Sequence, residues 1–301
     1  MTSAKLKRAE WPSAGADVRR SGKIVEGHLS GDPGLGYFAF SPAGGSTRAP
    51  LLVAVHGLSD RPDAHIQHLR SLAERFGVVV LAPHFSRPAF RDYQRLGREG
   101  RGERADRALL GLVEAVGRSI GAEWKRFFLM GYSGGGQFVH RFVLAYPDRV
   151  AAAVASSAGW YTFPDHTRSY PLGIGSARRL PGVSFDPERF LRVPILVTVG
   201  ERDVRRDRVL RKTTRVDLQQ GRTRLERAQR WVDAMVRAAE ERGLAPAVSL
   251  RTLPDIGHCF SASMSRGRLG ALAFTHLFGC ARPDPRVTEP EPRRHAEPSE
   301  P

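Results

Sequence analysis

A chain of 301 residues with 47 Lys and Arg against 31 Asp and Glu can bury a sizeable core, and its formal charge of +16 raises the question of a nucleic-acid partner. That class is set aside, because the excess is spread along the chain, interleaved with acids, and accompanied by no zinc-finger, helix-turn-helix or RNA-binding signature. No run approaches the ~18 apolar residues of a membrane span; two cysteines, Cys259 and Cys280, are too few for a disulfide framework and lack metal-ligand spacing, so a soluble cytoplasmic protein with neither membrane partner nor metal is expected.

Residues 1–22 are basic without an apolar run and read as a flexible segment rather than a secretory signal. "KIVEGHL" and "GYFAFSP" predict an N-terminal hairpin. Further strands are expected at 50–57, 77–83, 126–132, 150–158, 193–200 and 247–253. Helical patterns fall between them at 61–75, 103–120, 134–146, 223–242 and 262–278. This alternation over 23–280 predicts an α/β fold, a mostly parallel central sheet with helices on both faces. Residues 159–192 are too many for a simple crossover, and they begin where strands end, so they are expected to form a small cap over a pocket. Its Trp160, Tyr161 and Phe163 either line an apolar acyl site or merely pack the cap. Residues 281–301, rich in proline and charge, read as a disordered tail.

The chemistry centres on "LMGYSGGGQFVHRF" at 129–142. A phosphate loop fails there, because Gln137 and Phe138 stand where its lysine and hydroxyl are needed. Gly131-Tyr132-Ser133-Gly134-Gly135 fits G-x-S-x-G, a strained strand-to-helix turn whose glycines give the serine room. A serine nucleophile needs a base and an orienting acid, each past a later strand. "GERDV" supplies Asp203, with Glu201 and Asp207 competing in the same loop, and "PDIGHCF" supplies His258. "VAVHG" ends a strand where an oxyanion loop belongs, so the backbone N–H groups of Leu58 and Gly134 are the expected oxyanion donors.

Neighbouring residues carry expectations of their own. His56 should buttress the oxyanion turn, and Asp255 should shape the His258 loop. His65 and His68 should lie on the surface, and Cys259 should pack as a small apolar residue. Arg87, Arg91, Arg95 and Arg98 recur at helical spacing as a solvated face, or else rim the cleft and favour an acidic substrate. The arginine-rich run 204–242 offers only one amphipathic helix.

In "LLVAVHGLSDRP", "GYSGGGQF" and "QGRTRLERAQRW", residues 23–279 resemble the α/β-hydrolase superfamily, and within it serine hydrolases near the polyhydroxybutyrate depolymerase and feruloyl esterase groups. The resemblance implies a serine hydrolase cleaving a small-molecule carboxylic ester without cofactor. Secreted members of those groups carry signal peptides and disulfides that this sequence does not show, which argues against extracellular polymer degradation. The alternatives are a peptidase of the same fold and a binding protein that keeps the fold without turnover.

Overall fold

Short runs rich in β-branched and aromatic residues become the strands of one sheet, apolar on both faces at its centre and partly exposed at the edges. The computed structural model describes residues 22–29, 34–44 and 48–279. The N-terminal segment before Gly22, the tail and Cys280 lie outside the described residues.

The strands are β1 (Ile24–Leu29), β2 (Leu35–Phe40), β3 (Pro50–Val55), β4 (Val79–His84), β5 (Glu123–Tyr132), β6 (Val150–Ser156), β7 (Ile195–Gly200) and β8 (Val248–Leu253). They pair in the order β1-β2-β4-β3-β5-β6-β7-β8. The first two form an antiparallel hairpin whose β2 runs antiparallel to β4, and every later pairing is parallel.

Side chains alternate across a strand, and β3 shows what that does here. Leu51, Val53 and Val55 enter one core, against α2 (Ala105–Ile120), α3 (Gly134–Ala145) and α6 (Arg224–Glu240). Leu52 and Ala54 enter the other, against α1 (Pro62–Phe76) and α8 (Leu269–Phe278). All five are fully buried, as a parallel sheet covered on both faces requires. Three short helices complete the set: α4 (Pro187–Phe190), α5 (Thr214–Gln220) and α7 (Phe260–Ser265). No helix among the described residues is long and apolar enough to cross a membrane.

Two expectations are corrected. The helix expected at 262–278 is divided into α7 and α8, because Arg268 adopts the left-handed region at φ 51°. The arginine stripe is not a helix face: between 85 and 104 only Tyr93–Arg95 forms a 3-10 turn, ended by Leu96 and Gly97 at φ 65° and 73°.

The stretch expected to cap the site has no helix or strand over 157–186. Its buried backbone still needs partners, and side chains supply them. Thr162 is held three ways. Its N–H donates to His140 Nε2 at 3.0 Å, its carbonyl accepts from Trp231 Nε1 at 2.7 Å, and its hydroxyl accepts from Arg141 Nε at 3.0 Å. Gln220 brackets Tyr161, accepting from its N–H at 2.8 Å and donating to its carbonyl at 2.9 Å. Burial and the adjacent Arg141 keep the His140 pKa well below its ordinary value, so the ring is neutral and able to accept.

Candidate active site

Strand β5 ends at Tyr132, α3 begins at Gly134, and Ser133 between them takes φ 55°, ψ −109°. A non-glycine residue there is strained, and its surroundings hold it by close contact. The Ser133 N–H donates to the Ser156 carbonyl at 2.8 Å. A Cβ on Gly131 would stand 2.4 Å from the Gly135 carbonyl, and one on Gly135 only 2.0 Å from the Val55 carbonyl. Any side chain at either position would push the turn off the sheet.

Facing Ser133 is His258, from the loop between β8 and α7; its Nε2 lies 3.0 Å from Ser133 Oγ. Its Nδ1 lies 2.7 Å from Oδ2 of Asp203, which is 1 % exposed. A carboxylate accepts, so the proton belongs on Nδ1 and leaves Nε2 free to accept from the serine hydroxyl. The loops carrying acid and base are tied by backbone: Glu201 N–H donates to Leu253 O at 3.0 Å and Arg202 N–H to Ile256 O at 2.9 Å. Asp255, at φ 57°, turns the His258 loop and pairs with Arg202 at 2.5 Å on the surface.

The two competing acids stand elsewhere. Glu201 is exposed, and Asp207 binds both Nη atoms of Arg224 at 2.8 and 3.1 Å. Against the opposing pull of burial, that guanidinium holds the Asp207 carboxyl below the usual range. The same Arg224 Nη1 donates to Asp203 Oδ1 at 3.2 Å. Asp203 therefore meets His258 through one oxygen and Arg224 through the other, and buried Arg224 opens α6 within the run for which the sequence offered one amphipathic helix. It stands in the stretch "QGRTRLERAQRW", but no sequence pattern tied it to these acids, since its partners lie 21 and 17 positions back in a loop.

The loop after β3 also lies against the serine: a Cβ on Gly57 would sit 3.5 Å from Ser133 Cβ. The Leu58 N–H has no acceptor among the described residues, and the Gly134 N–H heads α3, where helical donors are left unpaired. His56 spans this turn, donating from Nδ1 to Gly57 O at 2.7 Å and accepting the Phe85 N–H on Nε2 at 3.0 Å. Burial lowers its pKa, which keeps that accepting nitrogen free. Two further supports were missed in the sequence. The Tyr93 hydroxyl donates to His56 O at 3.0 Å, and Arg87 donates to Leu58 O at 2.7 Å.

The aromatic run divides. Trp160 borders a cavity of about 560 Å³. Tyr161, fully buried with its ring 5.0 Å from Trp231, and Phe163, buried in the same core, are not among the residues that line it. The residues that do line it include Arg95, Arg98, Arg168, Arg211 and Arg215. His65 is buried, not superficial: it stacks on Phe260 at 4.0 Å, and burial with the nearby His56 and His68 drives its pKa to about 3. His68 is exposed, and so is Cys259, against the expectation that its thiol packs. Among the described residues no group of three or more His, Cys, Asp or Glu is disposed to hold a metal ion.

Known proteins share the fold of this chain. Residues 35–169 match the family model described as Esterase PHB depolymerase. Poly(aspartic acid) hydrolase-1 from Sphingomonas sp. KT-1 superposes with a TM-score of 0.71 at 26% identity, covering 83% of this chain and 98% of its own. A poly(3-hydroxybutyrate) depolymerase from Bordetella parapertussis gives 0.71 at 24%, covering 89% and 95%. A ferulic acid esterase gives 0.55 at 17%, covering 84% and 97%. No curated protein sequence matches. The chain has the α/β-hydrolase fold and, over residues 35–169, is similar to the esterases of the PHB depolymerase family.

Proposed function

We propose that this protein hydrolyses a carboxylic ester through an acyl-enzyme formed on Ser133. The observation that carries the reading is the continuous hydrogen-bonded line Ser133–His258–Asp203. Ser133 attacks the acyl carbonyl, while His258 takes the hydroxyl proton and returns it to the leaving alkoxide. Asp203 holds the ring in the Nδ1–H tautomer and stabilises the imidazolium. The Leu58 and Gly134 N–H groups receive the oxyanion, a donor of this kind being worth ~10²–10³ in rate. Water then repeats the sequence to release the acid. Residues 159–192 act as the cap of this site, and Trp160 is the member of the aromatic run that borders the neighbouring cavity. The scarcity of cysteine fits a reducing compartment, the cytoplasm.

A second reading, amide cleavage by the same groups, is favoured by the likeness to a poly(aspartic acid) hydrolase. His258 would then protonate a leaving amine. The experiment is labelling by a fluorophosphonate probe together with turnover of a simple 4-nitrophenyl ester and its anilide. Ser133→Ala should abolish labelling and both turnovers while the protein stays folded. Labelling that survives the substitution would remove the nucleophile from this account.

A further inference from the structure

The sequence put Arg95 and Arg98 in a stripe that either faces solvent or rims the cleft and favours an acidic substrate, and Arg211 and Arg215 in a run without further account. The structure brings them to one wall. Arg95 and Arg211 stand over the Trp160 ring at 5.3 and 5.2 Å, with buried Arg141 beneath at 4.4 Å. Arg98, Arg168 and Arg215 complete the lining.

Compensating charge is scarce. Arg95 and Arg98 share a single carboxylate, the buried Asp92, and Arg168 reaches Asp165 at 3.3 Å. Arg211 and Arg215 form no ion pair among the described residues, and both are exposed enough to reach a ligand. Partial desolvation, followed by the charges of Arg95 and Arg98, pulls the Arg211 pKa down. Arg227 fixes this wall from behind, donating to Gly159 O at 2.6 Å and Arg211 O at 2.9 Å. Asp207 orders the approach to Arg211 by accepting the Val209 and Leu210 N–H groups.

Chain neighbours of the cavity's lining residues touch the turn that carries Ser133. Tyr93, two residues before Arg95, would have its hydroxyl 2.6 Å from a Cβ on Gly134. Gln137, whose N–H donates to Ser133 O at 3.0 Å, would have its amide nitrogen 3.2 Å from a Cβ on Gly159, the residue before Trp160.

We infer that the arginine-lined cavity beside Trp160 is a carboxylate-binding subsite, so that the substrate of the proposed hydrolase carries an anionic group away from its scissile carbonyl. The inference rests on the reading of Ser133 as nucleophile. Guanidinium groups match carboxylates in a planar, two-point fashion, and Trp160 serves as the platform that holds two of them in orientation. Trp160 itself offers little surface to an apolar acyl chain, because it is 3 % exposed and its face is taken by cations; the apolar part of the lining comes from Tyr170, Pro171, Leu172 and Val216.

The test is a ladder of 4-nitrophenyl half-esters of dicarboxylic acids from adipate to sebacate, each against its methyl-capped neutral diester. At one or more chain lengths kcat/KM should favour the half-ester by about ten- to a hundredfold, the range of one charge-assisted contact, and high salt should shrink the ratio. In the double variant Arg211→Gln, Arg215→Gln the ratio should collapse toward one. No preference at any length, or an equal loss on both members of each pair, overturns the inference while diester turnover leaves the hydrolase reading standing. Binding of tricarballylate to Ser133→Ala by calorimetry probes the cavity without turnover. It should be measurable, weaken in salt, and vanish when the two arginines are also replaced; heat that is absent, or unchanged by those replacements, refutes the subsite.

Discussion

Replacing Arg224 by methionine isolates the one buried contact that holds the acid of the site without touching the imidazole. Three charge-assisted hydrogen bonds disappear, at 3.2 Å to Asp203 and at 2.8 and 3.1 Å to Asp207. The two losses differ in kind. The Asp207 side chain is 32% exposed and can turn to water, whereas that of Asp203 is fully buried and keeps only His258. Removing one partner of a buried pair costs about 3–5 kcal/mol, and the escape of Asp207 places the expected loss near the lower figure, about 3 kcal/mol. In a domain of this size that lowers Tm by roughly 6–12 °C.

Activity should fall as well. Asp203 loses the contact that fixes its carboxylate plane, so His258 spends less time in its working tautomer. Since complete loss of that support costs ~10⁴, a ten- to hundredfold drop in kcat is expected, with KM for a neutral ester little changed. The pH dependence supplies an independent sign. The lowered pKa of Asp207 adds stability above the unfolded value near ~3.9, and that stability is lost as pH falls from there through the folded value. The variant should lack this acid-limb loss. Adding Asp207→Asn should return part of the stability, because two carboxylates no longer face one vacated site, but none of the activity. Thermal unfolding and ester kinetics across pH measure all of this; an Arg224→Met protein with unchanged Tm and kcat would refute the account of how Asp203 is held.

Two further outcomes follow from the same geometry. Asp203→Asn should lower kcat by several orders of magnitude while Glu201→Gln and Asp207→Asn stay mild, because only Asp203 touches the imidazole; a crippled Asp207→Asn would reassign the acid. Gly135→Ala should abolish activity, and with it most of the folded yield, since its Cβ would lie 2.0 Å from the Val55 carbonyl. An active, stable alanine variant would mean that the turn is not clamped against β3.

Local pattern determined much of this protein. Strand runs and helical periods lie within single segments, so the α/β class was legible, and so was the serine turn, whose need for glycine arises within five residues. The order Ser133, Asp203, His258 followed from placing each after a strand, which needs no knowledge of packing. One signal was present and unused: His65 falls on the i, i+4 row of Pro62, His65, Ile66, Leu69 and Ala73 that α1 buries. Elsewhere a local pattern misled. The helical spacing of Arg87 to Arg98 was broken by left-handed Leu96 and Gly97, and the aromatic run lies in irregular chain, where no period tells a lining ring from a packed one.

What the tertiary structure alone decided is whatever depends on segments far apart in the chain. The offset from the strand end favours Asp203 over Asp207 but says nothing of what holds either; Arg224, arriving from the start of α6, pairs with Asp207 through both Nη atoms and leaves Asp203 an oxygen for His258. The cationic cavity is drawn from the turn after β4, the irregular chain after β6 and the approach to α5. Each segment alone is an ordinary basic stretch. Their charges meet only because the sheet order brings those loops to the same edge, and Coulomb interactions depend on distance in space, not on separation along the chain.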